Sequence, residues 1–309
     1  LGPHVAHPND YGTGGLHLSA DIEPRSSGRG GHAEPDVALR ACRTLILAII
    51  GMSPLVHTNF RLAGTAMPAT GWDFTGAPRT LFFLLMTTAA AIAWLTHIFK
   101  SSDPTTRIAP TTALMALLPV WAVVCSLASD RPLLAAYGAQ SFYQGAATLL
   151  AYSAFWFLAT QTLDTPNRLR QAMTVACVTA SVLSIYGVLQ YFGMDPINWG
   201  DVTFAAGRSF ATFGNPNYFA PYLACCLGIA LGMTSEHAIG NRTVLWWLSV
   251  ALISAGLWTT SARGGWVGAI VVVFVFLGFA TARPLLWDDP GAAAAVVGSV
   301  VALHATMLV

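Results

Sequence analysis

Two arginines interrupt a chain that is otherwise strongly apolar. Arg208 opens "GRSFATFGNPNYFAPYLA", residues 207 to 224, and Arg263 sits in "TTSARGGWVGA". Asn215 before Pro216 is a helix start, because Asn caps well and Pro is favoured at the first helical position. A helix opening there points unused N–H groups and the positive end of its dipole at the preceding loop, which attracts anions. Arg208 lies seven residues upstream, close enough to fold back over the same point, and Asn217 adds an amide that donates or accepts. In the second motif Gly264 and Gly265 follow Arg263, allowing a tight reversal or the close approach of another backbone. A lone guanidinium at that depth needs water, a partner or an anionic ligand. Two of them beside a helix start suit a diphosphate better than a single carboxylate. The simpler alternatives are that Asn-Pro merely caps a helix, that Arg208 snorkels to water, and that Arg263 pairs with Asp130, Asp195 or Asp201.

The surrounding elements must be membrane helices. Of 309 residues 55% are hydrophobic and 9% charged, where soluble domains carry about 25% charge. Nine apolar segments are expected, near 41–57, 79–99, 111–128, 142–160, 169–192, 216–233, 243–260, 264–281 and 290–309. Each approaches the ~20 residues that cross ~30 Å of hydrocarbon. The run from 243 to 281 would extend about 58 Å as one helix, so it must reverse near "SARGG". Backbone satisfaction in lipid leaves helices, since the alternation of a barrel is absent. The fold class expected is therefore all-α, a polytopic bundle of about nine membrane helices over 39–309. It is preceded by a disordered cytoplasmic tail over 1–38, rich in Gly, Pro, His and Ser.

Charge sets the orientation. With the tail inside, ten of the fifteen basic residues fall on the cytoplasmic side. The outer side holds Arg61, Arg79, Arg131, Arg208 and Arg263. A net charge of +1 gives no case for nucleic acid. Cys42, Cys125, Cys177, Cys225 and Cys226 lie in apolar runs without zinc spacing and are expected to behave as small hydrophobes.

Three stretches in order, "YGVLQYFGMDPINWGD", "GRSFATFGNPNYFAPYLA" and "TTSARGGWVGA", resemble the O-antigen ligase and polymerase superfamily over roughly residues 185 to 270. The resemblance implies a glycosyltransferase-C-like bundle in the bacterial cytoplasmic membrane, with its active site facing outward. It would move a glycan from undecaprenyl diphosphate to a lipid or glycan acceptor, without metal, cofactor or nucleotide sugar. By motif the family's diphosphate-holding arginines map onto Arg208 and Arg263, the expected catalytic pair. Gly214, Asn215, Asn217, Ser261 and Trp266 are the expected substrate contacts. Trp199 and Trp266 flank the site as candidate sugar-stacking rings. Gln190 and "SFYQG" are read as helix-end polar residues that bond between helices.

The superfamily also uses a histidine in a large outer loop as general base. The chain begins at Leu1 and ends inside an apolar run, and it reads as a fragment that stops before that loop. His304 has a helix-packing setting, His57 is an unsupported alternative, and residues 1–309 alone are expected to be inactive. A small-anion, bicarbonate-type transporter is the competing function, and a scaffold subunit the third. An inverted repeat would favour transport, but "GNPN" has no counterpart in the first half.

Overall fold

The computed structural model describes residues 37–59, 73–101, 106–108, 110–139, 143–200, 205–235 and 241–282. These form an all-helical body within one contact unit, Asp36–Val309. In chain order the helices are α1 (Val37–Met52), α2 (Gly76–Lys100), α3 (Pro110–Leu127), α4 (Pro132–Tyr137), α5 (Ala146–Thr162), α6 (Pro166–Tyr191), α7 (Pro216–Thr234), α8 (Asn241–Thr259) and α9 (Arg263–Ala282). Eight of the nine expected apolar segments are helices here, and the short α4 was not anticipated. The ninth segment, His304, Asp201 and most of the expected tail lie outside the described residues, while positions 37 and 38 already belong to α1.

Local chemistry fixes the helix ends. Thr165 caps α6 by accepting from Arg168 N at 3.3 Å, with Pro166 at the first helical position. Asp73 caps α2, its Oδ1 accepting from Gly76 N at 2.7 Å and its Oδ2 from Ala77 N at 3.1 Å. Pro54 ends α1 by converting its continuation into a 3-10 turn, Ser53–Leu55.

Four helical stretches, Val37–Leu55, Gly76–Lys100, Pro166–Tyr191 and Pro216–Thr234, are long and apolar enough to cross a membrane, and shorter apolar helices span Leu114–Leu127, Thr243–Thr259 and Arg263–Gly278. Large apolar side chains lie outward on α2, α3 and α9, among them Leu85, Trp121 and Phe274 at 60%, 69% and 61% exposure. Such surface is stable only against lipid or a partner. The architecture is that of a helical membrane protein.

Two cores hold the body together. One gathers α6, α7, α8 and α9 around Phe219, Leu223, Leu227 and Leu231, a stripe at i, i+4 spacing on α7. The other joins α1, α2 and α5 through Cys42, Ile46, Ala90 and Leu158. Lipid chains are as apolar as leucine, so close packing of small residues does much of the work between membrane helices. Gly256 of α8 lies against Ser184 of α6, where an added Cβ would meet the serine Cβ at 2.6 Å. Cys42, Cys177 and Cys226 are buried, but Cys125 and Cys225 are exposed.

The chain alternates direction, so basic residues collect at two rims. At one, Arg107 and Arg168 share Asp164, the first at 3.1 Å, and Gln161 ties the 106–108 segment to α5 through Arg107 N and O at 2.9 and 2.8 Å. At the other rim α1, α6 and α8 end while α2, α7 and α9 begin, and there Arg79, Arg208 and Arg263 gather.

Candidate anion site at the arginine rim

The site is built on α7. Asn215 caps it in extended conformation, its side-chain oxygen accepting from Asn217 N at 2.8 Å, with Pro216 first in the helix. Gly214 takes φ of 71°, and a Cβ there would meet Thr75 Oγ1 at 2.8 Å. Its freedom is thus used twice, for a left-handed turn and for contact with the start of α2. Gly214 shapes the loop ahead of α7.

Arg208 does fold back. Its Nε donates to Thr260 O at 2.9 Å and its Nη2 to Asn217 Oδ1 at 3.1 Å. One guanidinium therefore bridges the first turn of α7 and the α8–α9 turn that carries Arg263. Ser209 seals the same junction, N to Thr259 O at 2.9 Å and Oγ to Thr259 Oγ1 at 2.7 Å. Arg208 and Arg263 thus belong to one loop cluster at one end of the bundle.

The reversal falls where expected, but by another device. Ser261 is the residue in left-handed conformation, φ 48°, exposed between Thr260 and Ala262. Neither Gly264 nor Gly265 has positive φ, and α9 starts at Arg263 itself. Arg263 is exposed, and among the described residues its guanidinium makes no hydrogen bond or ion pair. Asp195, one expected partner for it, is engaged elsewhere. Trp266 corrects the sequence reading outright: it is 5% exposed and its Nε1 donates to Leu257 O at 3.2 Å. It packs inside the bundle and presents no face to a sugar.

Beside Arg208 a cleft of about 440 Å³ is lined by Gln190, Asp195, Asn198, Trp199 and Arg208 among others. Its polar wall is a connected network. Asp195 Oδ1 accepts from Tyr186 OH at 2.7 Å and Ile197 N at 2.9 Å, while Oδ2 accepts from Gln190 Nε2 at 2.6 Å. Trp199 donates to Tyr186 OH at 3.1 Å and packs on His57 and Phe210 with centroids 5.4 and 5.5 Å away. Burial pushes the His57 imidazole below its ordinary range, and the Arg79 charge acts in the same direction.

Gln190 bonds loop residues in place of the second helix expected of it. Its Oε1 accepts from both Phe210 N at 2.8 Å and Ala211 N at 2.9 Å, where Ala211 is wholly buried with φ 45°. This amide holds the strained loop two residues beyond Arg208. Replacing Gln190 with Leu strips two buried N–H groups of their acceptor, each loss costing about 1–3 kcal/mol. The expected outcome is a clear drop in the thermal midpoint of the detergent-purified protein. A midpoint equal to the parent's means the loop is held elsewhere.

Sequence reasoning grouped Arg79 with Arg208 and Arg263 but gave it no role; it lies at the same end of the bundle. Its Nε donates to Ser53 O at 3.0 Å and its Nη2 to Thr212 O at 2.9 Å, pinning the end of α1 to the arginine loop. The guanidinium carbon lies 4.5 Å over the Phe213 ring. No family model, curated protein or solved structure matches the chain.

Proposed function

We propose that the arginine rim holds the diphosphate of a lipid-linked glycan, and that the full-length protein transfers the glycan to a lipid or glycan acceptor. The setting is a polytopic bundle of about nine crossings, glycosyltransferase-C-like, in the bacterial cytoplasmic membrane with the rim outward. The donor is of the undecaprenyl-diphosphate class, as the resemblance to the O-antigen ligase and polymerase superfamily implies.

One observation carries the reading. Arg107 and Arg168 at the opposite rim share a carboxylate, whereas Arg208 and Arg263 have no acidic partner among the described residues and are brought to one turn by Thr260 and Asn217. An anchored guanidinium and an unengaged one, neither with a counter-ion, beside a capped helix start are open to an external anion. A departing diphosphate gains negative charge as its glycosidic bond breaks, and preorganised guanidinium groups stabilise that charge more than the ground state.

Replacing Arg263 with Ala in the full-length protein, expressed in its native host, tests this. Lipid-linked donor is expected to accumulate while surface glycan disappears from gels, with anion uptake unchanged. Normal glycan together with defective bicarbonate uptake would replace the proposal with transport.

A further inference from the structure

A second pocket lies on the other side of the α7 start. It encloses about 510 Å³ between α2, α5 and α7, and its polar lining includes Arg79, Thr80, Gln144, Thr148, Tyr152 and Tyr218. The first turn of α7 is the partition: Asn217 bonds Arg208 on one side, and Tyr218 lines the pocket on the other.

Arg79 is half-buried here and touches no carboxylate directly. Its Nε and Nη2 reach backbone carbonyls only, those of Ser53, Pro54, Val56 and Thr212. Carbonyl dipoles satisfy N–H groups but cancel no net charge. Asp73 is the nearby acid; its oxygens are held by backbone N–H groups at the start of α2, so it offsets the Arg79 charge from a distance and leaves the guanidinium's pocket side open. Among the described residues Arg79 makes no ion pair, and its Nη1 has no hydrogen-bond partner. Phe213 covers one face of the guanidinium at 4.5 Å, and the group lines the pocket with its positive charge.

The rest of the lining is hydroxyl-rich and contains no carboxylate. Tyr152 OH accepts from Gln144 Nε2 at 3.2 Å, leaving its own proton to donate. Thr80 Oγ1 makes no hydrogen bond among the described residues. Several donors around one cation match the multiple acceptor oxygens of a tetrahedral anion better than the two of a carboxylate. Leu81 and Leu85 continue α2 outward at 57% and 60% exposure, which sets the pocket at the edge of the apolar belt.

We infer that this pocket is a second anion site, distinct from the Arg208 cleft, which takes a phosphoryl group, carried either by an anionic lipid headgroup or by a soluble phosphate. Removing Arg79 would also loosen the loop it pins, so the decisive variant is Thr80→Glu, which sets a carboxylate in the pocket and leaves the carbonyl bonds of Arg79 in place. Thr80→Gln is its uncharged control.

The full-length protein is purified in detergent and probed with phosphatidylglycerol by native mass spectrometry, and with inorganic phosphate by 31P line broadening. Binding is read in an Arg208→Ala background so that the first site does not contribute; there Thr80→Glu is expected to lower it about tenfold, the scale of one lost favourable charge contact, while Thr80→Gln retains it. Binding of phosphatidylglycerol alone identifies the lipid headgroup as the source, and binding of inorganic phosphate as well identifies the phosphoryl group itself. Equal binding by parent and Thr80→Glu, or equal loss in Thr80→Glu and Thr80→Gln, would overturn the inference.

Discussion

Under the proposed function, alanine at Arg208 is expected to slow glycan transfer by the full-length protein about 10²- to 10³-fold, the usual cost of removing one preorganised donor from developing charge. The loss should fall mainly on kcat, because the interaction strengthens as the diphosphate departs. Arg208 also bonds Thr260 O and Asn217 Oδ1, so its removal frees the turn that presents Arg263. Lysine keeps the charge but is a single point donor without the planar fork. It cannot bridge both partners and still face a ligand, so Arg208→Lys should recover only part of the rate. The check is the initial rate of transfer from lipid-linked donor in membranes, normalised to folded protein. Parent-like rates for Arg208→Ala would remove the site from the chemistry.

The second large effect concerns two neighbouring glycines that look alike in sequence. A Cβ at Gly265 would lie 2.4 Å from Ala220 Cβ and 3.3 Å from Ala220 Cα, whereas one at Gly264 meets nothing within 4 Å. Gly265 is therefore where α9 presses on α7, two residues past Arg263. Gly265→Ala must push the helices apart, at about 1–3 kcal/mol for overpacking, and Gly265→Val more. Gly264→Ala should be neutral or slightly stabilising, since alanine favours helix over glycine by about 0.8–1.0 kcal/mol. Thermal midpoints and monodisperse yield in detergent will separate the two. Equal behaviour of Gly264→Ala and Gly265→Ala would contradict the close contact.

Much of this was legible before any coordinates. The "YGVLQ" run shows both the reach and the limit of reading by pattern. It is one of the stretches that carry the resemblance, with Gln190 read as a helix-end residue, and three of its residues have uses at the end of α6. Tyr186 donates to Asp195, Gly187 makes room for Phe219, with a built Cβ at 2.9 Å from its ring, and Gln190 grips the arginine loop. Nothing in the pattern names those partners. Trp266 shows the opposite error: an aromatic near a motif resembles a ligand contact, yet helix periodicity turns it inward against Leu257.

The sequence by itself determined where the helices run and where α7 starts, because apolar length and an Asn-Pro cap act within a few residues. It determined the reversal before Arg263 too, since a 39-residue apolar run exceeds the bilayer. Only the tertiary structure decided which carbonyl fixes Arg208, that Ser261 takes the left-handed turn while Gly265 serves the other expected use, close approach of a neighbouring helix, and that Arg79 reaches Thr212. Those contacts join residues far apart in the chain, 52 positions for Arg208 and Thr260 and 133 for Arg79 and Thr212. A bond between distant segments depends on how the helices pack together, and no local run of side chains encodes that.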